Sequence, residues 1–173
     1  MKKLGLIPAA TAATLCLTFA LAPGDATGQT KIAKNQLIGT WSYASVVAER
    51  PDGSKFEPWG PTPKGNLIFT SNGRYSVQII RHDLPKLASN DRLKGTPEEN
   101  EAVAKGVFSH FGTYTVDEAA GTYTLHIEAS SFAADNGTKQ VRTITSFATD
   151  DFTTTNPTPR TGAIVYTVFK RVK

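Results

Sequence analysis

Cysteine is nearly missing from this chain of 173 residues: there is one, Cys16. It lies inside the apolar N-terminal stretch, so everything beyond that stretch lacks a disulfide framework and a thiol nucleophile. Histidine is scarce as well. His82, His110 and His126 are spaced too widely to form a metal-ligand motif, and no metal is expected. Long basic runs are absent. The 19 Lys and Arg against 15 Asp and Glu leave a formal charge of +4, scattered along the chain with nothing denser than "KRVK" at 170–173, which argues against nucleic acid as a partner. A Gly-X-Ser-X-Gly elbow, a phosphate-cradling loop and a dinucleotide fingerprint are also lacking, so no cofactor is expected.

The chain opens with "MKKLGLIPAATAATLCLTFALAPGDATGQT": two lysines, an apolar run from Leu4 to Ala22, then small and polar residues. This is the layout of a secretory signal peptide, expected over residues 1–28, with Ala26 and Gly28 before the cut and Gln29 first afterwards. Leu15 stands before Cys16 where a bacterial lipoprotein signal has a small residue, so no lipid anchor and no stable membrane anchor after cleavage are expected. The protein is read as exported by a bacterium, to the periplasm or beyond. A short polar lead-in (29–36) and one domain (37–173), long enough to bury a core, would remain.

Strand patterns dominate that domain. Segments 39–48, 65–71, 74–81, 111–117, 122–130, 139–148, 151–155 and 163–172 are rich in Thr, Tyr, Val, Ile and Phe. Asn72-Gly73 is a hairpin signal, and "DEAAG" at 117–121 suits a longer turn. The proline- and glycine-rich stretch 51–65 reads as a loop. In the 96–110 region, Thr96 as N-cap, Pro97, and Glu98-Glu99 in the first turn predict a helix ending near His110, with Val103, Val107 and Phe108 facing the sheet. Eight antiparallel strands with one helix are compatible with a sandwich or with a closed barrel whose interior can hold one small ligand.

Residues 37–42, "LIGTWS", set a Gly-X-Trp at the start of the first strand. There follow, in order, "EPWGPTPKGNLIFTSNGRYSVQIIR", "LASNDRLKGTPEENEAVAKG", "FGTYTVDEAAGTYTLHIEAS" and "NGTKQVR". Over about residues 37–172 this resembles the lipocalin-like domain family of bacterial and fungal proteins. The resemblance implies an all-β, eight-stranded antiparallel up-and-down lipocalin-like barrel. It also implies a small hydrophobic or amphipathic molecule as partner, with Trp41 plugging the narrow end and Lys170 or Arg171 lying across it.

Chemistry, if any, centres on "GTYTLHIEASSF" at 121–132. Alternation puts Thr124, His126 and Glu128 on one face and Tyr123, Leu125, Ile127 and Ala129 on the other. With the first face inward, His126 and Glu128 would join Arg142 of the next strand to bind a carboxylate or polarise a carbonyl. With the second inward, His126, Glu128 and Arg142 would be a solvated stripe. Tyr75 and Tyr114 are expected as aromatic walls. Two functions are carried forward: an exported protein that binds a small, mainly apolar molecule, and an isomerase, cyclase or dehydratase with His126 as base and Arg142 stabilising enolate-like charge.

Overall fold

A computed structural model describes residues 31–156 and 162–173. The expected signal segment lies outside these residues. Among the described residues nine strands form one sheet: β1 (Gly39–Glu49), β2 (Lys55–Phe56), β3 (Lys64–Phe69), β4 (Arg74–Ile80), β5 (Val107–Asp117), β6 (Thr122–Ser130), β7 (Lys139–Phe147), β8 (Asp151–Thr155) and β9 (Ile164–Arg171). From β3 onward each strand pairs antiparallel with the next, and β1 pairs with both β3 and β9. The register from Trp41 opposite Arg171 to Glu49 opposite Ile164 closes the sheet into an eight-stranded barrel, with the two-residue β2 added at the end of β1. Closure pairs the edges that an open sheet would leave to solvent.

Turn chemistry sets the hairpins. Thr70 and Arg74 pair through their backbones, Gly73 N–H donates to Thr70 C=O at 3.1 Å, and Gly73 adopts φ 83°, a conformation that favours glycine. Further along, the pairing of β5 with β6 slips by one residue between Phe111 and Gly112. This bulge brings the strands so close that a Cβ on Gly112 would stand 2.0 Å from the carbonyl oxygen of His126.

The helix, α2, runs from Pro97 to Gly106, after a four-residue α1 at Lys34–Leu37. Thr96 closes a capping box: its hydroxyl accepts from Glu99 N–H, and the Glu99 carboxylate accepts from Thr96 N–H at 2.8 Å. The helix is shorter than the sequence suggested. Val107 and Phe108 begin β5, opposite Ile80 and Ile79 of β4, and Val103 is exposed. Barrel closure takes these β-branched and aromatic residues into the ladder, where their propensity and their burial agree. His110 therefore sits on a strand inside the barrel, not at a helix end.

One end of the barrel is packed solid. Trp41 is fully buried against Phe152 (ring centroids 4.6 Å apart), and its indole N–H donates to Leu37 C=O at 2.8 Å. Of the two basic residues considered, Arg171 lies over the indole, its guanidinium carbon 3.9 Å from the ring centroid. Arg171 also donates to the carbonyls of Gln36, Ile38 and Thr149 at 2.8–3.0 Å. The lead-in is less polar in effect than in composition, since Ile32, with Leu37 at the start of the domain, joins this core fully buried. Among the described residues no helix is long and apolar enough to cross a membrane.

Candidate functional site

The packed end grades into an open one through a ladder of rings. Phe152 stacks on Phe169 at 4.8 Å, and Phe169 meets Tyr43 at 4.9 Å. Tyr43 and Phe169 form the floor of a cavity of about 210 Å³ in the other half of the barrel. Its walls are largely aliphatic, with Val46, Leu67, Val77, Ile79, Leu125 and Val165. Trp59, from the loop between β2 and β3, stacks on Phe108 at 6.3 Å where the cavity opens. Arg81 and His82 hold that loop. The Arg81 guanidinium donates to Pro58 C=O at 3.3 Å, and Gly60 packs so close that an added Cβ would lie 2.7 Å from the His82 ring.

Polar groups interrupt this wall at a few points. Arg142 on β7 points inward, opposite Tyr123 on β6. Its Nη2 donates to Gln140 Oε1 at 2.7 Å and its Nη1 to Val141 C=O at 3.0 Å. Gln140 Nε2 in turn donates to the buried Asp135 carboxylate at 3.4 Å. Tyr43, Tyr123, His110, Thr154, Thr167 and Asn156 complete the polar lining. Burial pushes the Tyr123 phenol up to about 12, an effect eased by the Arg142 charge and by Thr154. Burial likewise raises Tyr43, so both phenols stay protonated and can donate. His110 Nδ1 is 2.9 Å from the Tyr75 hydroxyl, and burial, with Arg142 adding to it, pushes its pKa down to about 4. The imidazole is neutral near pH 7.

The residues singled out from sequence are divided by the barrel wall. Tyr123, Leu125 and Ile127 face in, whereas His126 and Glu128 stand on the outer surface, correcting the expectation that they line the interior. His126 Nε2 lies 3.2 Å from the Thr115 hydroxyl, and Glu128 makes a bidentate ion pair with Arg74 at 2.7 and 2.9 Å. The cause is phase: with Leu125 and Ile127 in the core, the alternate positions must face water. Arg142 nevertheless points in, so neither facing considered from sequence describes all three residues. Tyr114 belongs to the packed end, against Phe69 at 4.6 Å with its hydroxyl on Thr70 C=O, and is no wall of the cavity. Tyr75 backs the cavity through His110 without lining it.

His110, Tyr43 and Tyr123 were missed as site residues. The signal for His110 was present: carrying the alternation of "FSHFGTYTV" back from Tyr114 puts Gly112, His110 and Phe108 on one face. Among the described residues no three His, Cys, Asp or Glu come together as a metal-holding group.

A family model described as a lipocalin-like domain matches residues 38–167. Among curated proteins there is no match. Among solved structures, the tryptamine complex of the amine binding protein of Rhodnius prolixus is similar at 14% identity and a TM-score of 0.45, covering 83% of this chain and 67% of that one. A bovine odorant binding protein, a deswapped triple mutant, is similar at 15% identity and a TM-score of 0.39, covering 79% and 74%. A redesigned β-barrel is similar at 16% identity and a TM-score of 0.42, covering 80% and 94%.

Proposed function

Because the chain belongs to the lipocalin-like domain family, which residues 38–167 match, we propose that it binds a small, mainly apolar molecule inside the barrel. The observation that carries this reading is the cavity of about 210 Å³ between the aromatic floor and Trp59. Its walls are aliphatic and aromatic with a few polar groups, the usual make-up of a small-molecule site. An aromatic body burying roughly 200 Å² there gains about 5 kcal/mol from desolvation. The cost of immobilising the ligand offsets part of that gain, so an apolar body alone binds weakly and the polar groups decide affinity and orientation.

The proton-transfer reading has less support. His126 stands outside the barrel, and the inward imidazole of His110 has Nδ1 engaged by Tyr75 and a pKa of about 4, which makes it a weak base at neutral pH.

We also propose that the protein works outside the cytoplasm, on the strength of the signal-like residues 1–28. The test of both parts is mass spectrometry of protein purified from its native host, under native and then denaturing conditions. The expected result is a chain beginning near Gln29 that releases a small molecule on unfolding. A chain that retains its N-terminal segment contradicts export. A bare chain whose melting temperature no member of an apolar small-molecule panel raises contradicts binding.

A further inference from the structure

We infer that the cavity is built for a carboxylate-bearing molecule with a body of about one ring, its acid group anchored by the guanidinium of Arg142. This rests on the interior-binding reading and adds the chemical class of the ligand.

Charge is the first ground. Among the described residues lining the cavity, Arg142 carries the one full charge, and no Asp or Glu is there to balance it. The partners of its guanidinium are neutral, the Gln140 side-chain carbonyl and the Val141 main-chain carbonyl. Among the described residues no carboxylate lies within ion-pair distance of it. The nearest acid along the hydrogen-bonded chain, Asp135, is separated from it by the Gln140 amide and does not line the cavity. Gln140 thus orients the guanidinium and, being neutral, brings no charge of its own into contact with it. A half-buried cation held this way lacks most of its water and has no counter-charge in contact, and a ligand anion would supply one.

Geometry is the second. A guanidinium has five N–H donors in a planar fork, and the two contacts to Gln140 and Val141 leave donors for a carboxylate, whose paired oxygens match that fork. The phenols of Tyr43 and Tyr123 stand around the same charge, which acts on both, and each can donate one further hydrogen bond to an anion. A protonated amine would meet the opposite situation, a like charge and no acid.

Size is the third. An apolar cavity of about 150 Å³ accepts benzene, so about 210 Å³ takes one ring with a short chain. The aromatic floor and the Trp59–Phe108 pair suit a flat body.

The experiment is calorimetric titration, at neutral pH, of the purified protein with three compounds that differ only in their end group: phenylpropanoic acid, phenylpropanol and phenylpropylamine. The acid is expected to bind at least about tenfold more tightly than the alcohol, and the amine most weakly. In Arg142→Met the preference for the acid over the alcohol should vanish, with an unchanged circular dichroism spectrum showing that the variant folds. Arg142→Lys, which keeps the charge and loses the fork, should retain only part of the preference. Equal binding of acid and alcohol, a preference for the amine, or a preference that survives Arg142→Met overturns the assignment and leaves interior binding standing. Failure of all three compounds to bind overturns the assignment as well, and interior binding falls with it only if no member of the apolar panel raises the melting temperature either.

Discussion

At the scale of single residues, the account turns on which side of a strand a polar group occupies. His110 and His126 make the contrast. His110 is buried with its pKa down to about 4, against 6.5 for the free side chain, so below about pH 6.5 the unfolded chain takes up a proton that the folded chain refuses. Stability therefore falls as pH drops from about 6.5 to about 4, by roughly 3 kcal/mol from this group alone. Urea titrations across that range should show the slope, and His110→Gln, which can still hydrogen-bond Tyr75, should flatten it. An unchanged slope in the variant would assign the acid sensitivity elsewhere. On the outer face, Arg74 and Glu128 are each 46% exposed, and a pair so well solvated contributes little. Glu128→Gln and His126→Ala should leave ligand affinity within about twofold, and a large loss in either would mean that ligand binds outside the barrel. An inward Arg142 was weighed from sequence only in company with His126 and Glu128; what could not be read was that the strands differ, because β7 puts Gln140 and Arg142 inside and Val141 out, against the usual patterning. Local breaches of pattern of this kind are expected at functional or strained positions.

At the scale of elements, the strands were legible because turn residues and alternation agreed, as at Asn72-Gly73 and in β6. The boundary between α2 and β5 was not, because helical spacing of Val103, Val107 and Phe108 and strand alternation from Phe108 onward overlap in the same residues. Only barrel closure, a long-range demand, chooses between them. The N-terminal capping signal was read correctly, and it leads to a local expectation. Thr96→Ala should cost the helix about 1 kcal/mol and speed amide exchange over 97–106, with the barrel amides unchanged. The bulge between β5 and β6 should be less tolerant. Gly112→Ala forces a methyl to within 2.0 Å of a backbone oxygen, where no side chain can give way, so it should lower the melting temperature far more than an alanine at exposed Gly137, where nothing lies within 4 Å of an added Cβ but φ is 73°. Comparable losses at the two glycines would contradict the close approach.

At the scale of the whole molecule, the barrel is asymmetric along its axis: packed at the Trp41 end, hollow at the Trp59 end. Arg171 ties the packed end together through Trp41 and three backbone carbonyls, so Arg171→Met should destabilise the fold by about 2–4 kcal/mol without changing the affinity of a ligand bound at the opposite end. Chemical denaturation and calorimetric titration of the same variant separate the two effects, and a loss of affinity with stability intact would contradict this division. Whether the interior receives a ligand is the central claim, and methyl chemical shifts read it most directly. Val77, Ile79, Leu125 and Val165 line the cavity, while Leu93, Val103 and Val172 are exposed. On titration with the ligand released from the native protein, or with phenylpropanoic acid, the first set should shift in a saturable way and the second should stay still. Shifts confined to the exposed methyls, or none in the cavity at saturating concentration, would contradict the account.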